Sequence, residues 1–193
     1  MKVNKIQINT KTKKYSIFIG TNIIKNISIF LSSHKISFKK CLVVIDKNVP
    51  KKNQLILKKK LKSKKLFFHK FTSNEKNKNY KSINKIHEIL FKNRFNRDDC
   101  IISFGGGIVG DVVGFASSTY KRGIKFVNIP TTLLAQVDSS IGGKTGINNR
   151  FGKNMIGSFY QPDLVISDTS LLKSLPKREI ICGYGEILKH ALI

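Results

Sequence analysis

Five short apolar runs set the pattern of this chain: "CLVVID" (41–46), "LFFHKF" (66–71), "CIISF" (100–104), "KFVNIP" (125–130) and "DLVISD" (163–168). Each reads as a strand. Helical spacing separates several of them. Ile23, Ile24, Ile27, Phe30 and Leu31 follow Thr21, a plausible N-cap. Leu55, Leu57 and Leu61 follow Pro50, which suits a first helical turn, and Ile83, Ile86, Ile89 and Leu90 share one face of a helix from Tyr80 to about Phe95. Strands alternating with helices imply βαβ units. The expected class is α/β, a Rossmann-like, mostly parallel sheet with flanking helices, whose ligands gather at the carboxyl ends of strands. Ahead of it, "VNKIQI" (3–8) and "YSIFI" (15–19) alternate polar and apolar side chains around "NTKTKK" and predict a hairpin.

A chain of 193 residues buries roughly 70% of the surface it exposes when unfolded, so it needs no disulfide or metal to fold. Cys41, Cys100 and Cys182 form no CxxC pair, and a reduced, cytoplasmic setting is expected. The opening residues lack the apolar core of a signal peptide, and no run approaches the ~18 apolar residues of a membrane span.

The net charge of +25 points at first to nucleic acid. Residues 1–100 carry 26 basic and 5 acidic side chains. However, 31 of the 36 cations are Lys, whereas base-edge and bidentate phosphate readers favour Arg. Lys, Asn, Ile and Phe are abundant together, as A/T-rich codons would produce. No specific nucleic-acid partner is expected, and none in a membrane.

"SFGGGIVGDVVGF" (103–115) holds Gly105-x-Gly107-x-x-Gly110 directly after a strand. Such glycines let backbone N–H groups approach a pyrophosphate, and the following helix start favours negative charge. The usual dinucleotide fingerprint also wants an acid roughly 20 residues later, and "KFVNIP" has none. Asp46 ends an earlier strand instead. Beyond the loop, "IPTTLLAQVDSSIGGKTGIN" (129–148) and "GKNMIGSF" (152–159) gather Thr131, Thr132, Asp138, Lys144, Lys153 and Asn154. Cations and amides at this density suit an anionic, phosphorylated ligand.

"GGGIVGD", "KRG", the two segments just quoted and "GYGEILKHALI" (183–193) together resemble the 3-dehydroquinate synthases, from about residue 40 onward and loosely before that. The resemblance implies an α/β domain binding NAD and a mainly helical C-terminal domain, with one divalent metal, zinc or cobalt, at their interface. Residues 1–175 would be the first domain, and 176–193 the first helix of the second, which meets no stop signal and looks cut in mid-helix. That helix sets Ile180, Ile181, Ile187, Leu188, Ala191 and Leu192 largely along one side, a stripe that needs a partner.

By resemblance, the NAD site takes Asp46 and Asn48 near the adenosine ribose, and Glu75 and Lys78 from the loop after "LFFHKF". Gly106, Gly107, Ile108, Val109, Gly110 and Asp111 surround the pyrophosphate, joined by Thr131, Thr132, Lys144, Lys153 and the turn Leu171, Leu172, Lys173, Ser174. The sugar-phosphate site takes Asp138, Lys144, Asn154 and Lys189, with Arg122 reaching in from the other subunit of a homodimer. Glu186 matches the carboxylate metal ligand, while the two histidine ligands lie beyond residue 193. Glu186 and His190 share a helix face at i and i+4, but the family position matching His190 is not a ligand. Ser174 stands where Thr is usual, and "GYGE" replaces the more usual "GLAE".

The implied reaction converts 3-deoxy-D-arabino-heptulosonate 7-phosphate to 3-dehydroquinate and phosphate. NAD oxidises a ring hydroxyl, phosphate leaves, the ketone is reduced back, and an aldol closure forms the carbocycle. Three alternatives stay open: a non-catalytic NAD-binding remnant, a sister sugar-phosphate cyclase, and a basic nucleic-acid-binding module.

Overall fold

The computed structural model describes residues 2–61 and 65–193. Seven strands form one sheet in the order β1-β2-β9-β6-β5-β3-β4: β1 (Val3–Asn9), β2 (Lys14–Gly20), β3 (Lys40–Asp46), β4 (Lys65–Phe71), β5 (Cys100–Gly105), β6 (Lys125–Pro130) and β9 (Leu164–Asp168). All neighbours are parallel except β1 and β2. The hairpin does not stand apart from the sheet. Its second strand pairs with β9, Ile17 opposite Val165, and extends it to seven strands.

The apolar runs are continuous because both faces of the sheet are covered. On one face α1 (Ile27–Ser33) and α2 (Lys51–Lys60) pack Ile27, Phe30, Leu31 and Leu57 over Val43, Ile102, Val127 and Ile166. On the other, α3 (Tyr80–Lys92) and α4 (Gly107–Thr119) pack Ile83, Ile86, Leu90, Val109, Val112 and Val113 over Leu42, Val44 and Ile101. Asn79 caps α3, its side chain accepting from the Ser82 N–H at 3.1 Å. The chain leaves β3 for the edge strand β4, then returns to β5 on the far side of β3 and proceeds to β6. The direction of winding therefore reverses between β3 and β5, where a crevice forms at the carboxyl ends.

One local expectation changes. Thr21 does not cap the first helix. Residues 23–26 form a 3₁₀ turn before α1, and the Asp168 carboxylate, from the far end of the chain, accepts from the N–H groups of Asn22 at 2.8 Å and Ile24 at 2.9 Å. A charged acceptor reaching two N–H groups outcompetes one local hydroxyl, and Thr21 instead meets Thr169 at 2.8 Å. The glycine-rich stretch after the π-turn Ala135–Ser139 also contains regular structure. β7 (Lys144–Asn149) and β8 (Gly152–Phe159) form an antiparallel hairpin, bulged between Ile147 and Asn149. It lies on α4, burying Ile147 in the second core. The final helix, α5 (Lys177–Leu192), has Gly183 as its one buried residue. Among the described residues, no helix is long and apolar enough to cross a membrane.

Candidate functional site at the strand ends

The site begins with the turn from β5 into α4. Gly106 is the N-cap, its extended backbone free of a side-chain cap, and the Gly110 N–H closes the first turn on its carbonyl at 3.1 Å. The open N–H groups of this first turn, and the positive end of the helix, face the crevice. Thr131 is tied back to the Gly105 carbonyl at 2.9 Å, and Thr132 accepts from the Ala135 N–H at 3.2 Å. Asp46, at the end of β3, folds an Asx turn by accepting from the Asn48 N–H at 2.9 Å. These elements enclose a cleft of about 570 Å³ whose walls include Asp46, Asn48, Glu75, Gly106, Gly107, Ile108, Thr131, Thr132, Leu171 and Ser174.

A second cleft, of about 440 Å³, is walled by Asp111, Asp138, Lys144, Thr145, Asn154 and Phe159. Gly107 and Asp111, one turn apart on α4, line the first and second clefts respectively. A Cβ on Gly107 would sit 2.8 Å from Ser139 Oγ, so glycine is what lets the helix start approach the π-turn.

One hydrogen-bonded network ties the clefts together. The Lys78 side chain, only 6% exposed, donates to Asp111 Oδ2 at 2.5 Å and to the Asn154 side-chain oxygen. The Asn148 N–H donates to the Lys78 carbonyl at 2.8 Å, and its amide donates to the Glu75 carboxylate at 2.7 Å. Asn154 donates its N–H to Asn148 Oδ1 at 2.9 Å. Glu75, Lys78, Asp111 and Asn154, distant in sequence, are thus brought together. Asn148 is a member that the sequence reading gave no role. Its only signal was its position at the end of the long polar segment. Burial raises the Asp111 carboxyl above its ordinary pKa; Lys78 pulls it back, while Glu75 and Asp138 add to the rise.

At the rim, α5 carries Glu186 beside the π-turn. The Lys189 ammonium, bonded to the Glu186 carboxylate, holds that carboxyl below its ordinary pKa, and Glu186 in turn raises Lys189. His190 Nε2 lies 3.2 Å from Glu186 Oε1. Asp138, Glu186 and His190 each offer a ligand atom, all within 4.8 Å of one another.

Other expected residues lie elsewhere. Val109 is buried in the second core, and Gly110 faces Asn128, so only their backbones could serve a nucleotide. Lys153 is exposed on β8, and neither it nor Leu172 and Lys173 is among the walls of either cleft. Arg122, with a positive φ of 65°, lines a separate hollow with Lys13, Arg97 and Tyr160 and does not reach the cleft of its own chain. The other histidines serve packing: His34 contacts Ser16 Oγ at 2.9 Å, His87 the Ala116 carbonyl at 2.9 Å, and His69 sits on β4 with its pKa lowered by burial.

The family profile described as 3-dehydroquinate synthase N-terminal matches residues 68–182. A 3-dehydroquinate synthase from Pelagibacter ubique is 62% identical over 189 residues, covering 98% of this chain and 51% of the relative. One from Streptococcus thermophilus is 43% identical over 191 residues, 98% of this chain and 54% of its own length. The chain spans about half the length of the curated relatives it matches. Among solved structures, 2-deoxy-scyllo-inosose synthase complexed with carbaglucose-6-phosphate, NAD+ and Co2+ superposes with a TM-score of 0.91 at 27% identity, over 98% of this chain and 52% of that one. The 2-epi-5-epi-valiolone synthase from Streptomyces hygroscopicus, with NAD+ and Zn2+ bound, gives 0.83 at 27% identity, over 94% and 50%.

Proposed function

The chain belongs to the 3-dehydroquinate synthase family, and from that premise we propose that it forms the nucleotide-binding half of a 3-dehydroquinate synthase site. The reaction is the conversion of 3-deoxy-D-arabino-heptulosonate 7-phosphate to 3-dehydroquinate and phosphate. The observation that carries this reading is the pair of clefts opening on either side of the first turn of α4, one lined by Gly106, Gly107 and Asp46, the other holding Asp138, Lys144 and Asn154.

When bound, NAD would accept and return a hydride, and a divalent metal would polarise the substrate oxygens. The donor set fits both groups. The first cleft offers Asp46 to ribose hydroxyls and the N-terminus of α4 to a pyrophosphate. Glu186 offers the metal a carboxylate. In the second cleft, Lys144 and Asn154 supply a cation and an amide to a phosphorylated sugar. Lys78 acts from behind. Buried and bonded to both, it fixes Asp111 and Asn154 so that both ligands meet a preformed wall. Arg122, directed away from its own cleft, fits a contribution to a second subunit in a homodimer.

The 193-residue chain alone does not turn over in this account. The second cleft opens to water beside Phe159, 83% exposed, and electrostatic catalysis weakens in an open, wet site. The test is phosphate release with NAD and cobalt or zinc, measured for this chain and for a fusion to the remaining half of the Pelagibacter relative. Turnover by the fusion alone is expected. A folded fusion that binds NAD without releasing phosphate would favour the non-catalytic remnant, and turnover of a different sugar phosphate would favour a sister cyclase.

A further inference from the structure

We propose that Asn148 is a positioning residue that sets one wall of each cleft at once, Glu75 in the first and Asn154 in the second. The inference rests on the two-cleft reading of the proposed function and adds to it a residue to which the family resemblance gave no role.

The break in the β7–β8 hairpin makes this possible. Its ladder passes from the pair Ile147–Ile156 to the pair Asn149–Gly152, so Asn148 and the facing residues 153–155 have no register partner. A bulge of this kind frees backbone groups and re-aims side chains. The freed Asn148 N–H donates to the Lys78 carbonyl at 2.8 Å, which docks β7 on the loop after β4. The side-chain amide then works in two directions. Its nitrogen donates to Glu75 Oε2 at 2.7 Å and to the Glu75 carbonyl at 3.3 Å. Its oxygen accepts from the Asn154 N–H at 2.9 Å.

Both targets need holding. Glu75 is exposed, and among the described residues no ion pair fixes its carboxylate. Asn154 has a φ of 57°, a left-handed conformation that L residues adopt at a cost. Lys78 bonds the side-chain oxygen of Asn154, so Asn148 secures the backbone of the residue whose side chain Lys78 secures. Glu75 walls the first cleft and Asn154 the second, whereas Asn148 is among the walls of neither. It therefore acts through its two neighbours.

The test is calorimetry of the 193-residue chain with NAD and, separately, with inorganic phosphate, for the parent and Asn148→Ala. The variant weakens each ligand about fivefold, as loss of one hydrogen bond of ordinary strength predicts. Glu75→Ala weakens NAD alone. In that background Asn148→Ala costs NAD nothing further while still weakening phosphate. A merely structural loss would weaken NAD by the same factor in both backgrounds. In the ligand-free protein, NMR of Asn148→Ala shows the Asn154 amide shifted and exchanging faster, while the amides of β3 and β5 stay protected. The proposal is overturned if Asn148→Ala leaves either affinity at the parent value, if its effect on NAD persists undiminished beside Glu75→Ala, or if the Asn154 amide does not move. A parent that binds no NAD contradicts the nucleotide reading alone, and the phosphate affinity and the Asn154 amide then decide for or against Asn148.

Discussion

Asp168 has no exposed surface, and its carboxylate accepts from the N–H groups of Asn22, Ile24 and Ser170 and from the Ser170 hydroxyl at 2.6–2.9 Å. Replacing it with Ala strands the buried Ile24 N–H and frees the Asn22 N–H at the start of the 3₁₀ turn. Asp168→Ala is expected to lower stability by about 3 kcal/mol in urea denaturation, against little for Thr21→Ala, and equal effects would return the capping role to Thr21. The Lys78–Asp111 pair makes a second prediction. Breaking it from one side costs about 3 kcal/mol, so Lys78→Met and Asp111→Asn should each destabilise, and the double variant should lose less than their sum. The pair also has a pH signature. The raised pKa of Asp111 means that the folded state keeps this proton at higher pH than the unfolded state. Its contribution is therefore full below the ordinary Asp value and falls as pH rises through the raised one. The stability of Asp111→Asn relative to the parent should rise as pH climbs out of the mildly acidic range, and a difference that is flat with pH would contradict the burial argument. Neither pair was legible in sequence. Asp168 lies 144 residues from Ile24, and no local pattern announces a partner that distant.

At the scale of elements, the parallel strands were legible because both faces are covered, leaving uninterrupted apolar runs. The β7–β8 hairpin was not. Its strands are glycine-rich and polar, and they exist because two backbones approach where side chains would interfere. A Cβ on Gly157 would lie 2.0 Å from the Thr145 carbonyl. Gly157→Ala should therefore separate the strands and loosen Lys144 and Asn154, seen as faster amide exchange across residues 144–159, while the central sheet stays protected. α5 was legible as an apolar stripe. Its attachment through Gly183 onto Leu133 was not, since it depends on a residue with no side chain. Of the candidate site, the glycine loop and the polar segment after β6 were readable from residue types alone. The joining role of Asn148 and the approach of His190 to Asp138 were not, because both depend on how separate loops fold together.

Over the whole molecule, the basic excess stands apart from the site. The described ion pairs engage Lys13, Lys78, Lys85 and Lys189, and many other lysines stand exposed on both helices and strands. DNA binding should accordingly look the same for unrelated sequences and vanish as salt rises; a single preferred sequence surviving physiological salt would overturn that view. The central claim is that the crevice between β3 and β5 is a dinucleotide site, and calorimetric titration of the folded chain with NAD tests it most directly. The account predicts weak, saturable binding, reduced at least about tenfold, or ~1.4 kcal/mol, by Asp111→Ala, whose carboxylate anchors the loop through Lys78. No saturable binding at millimolar NAD, or equal binding by the parent and Asp111→Ala, would contradict it.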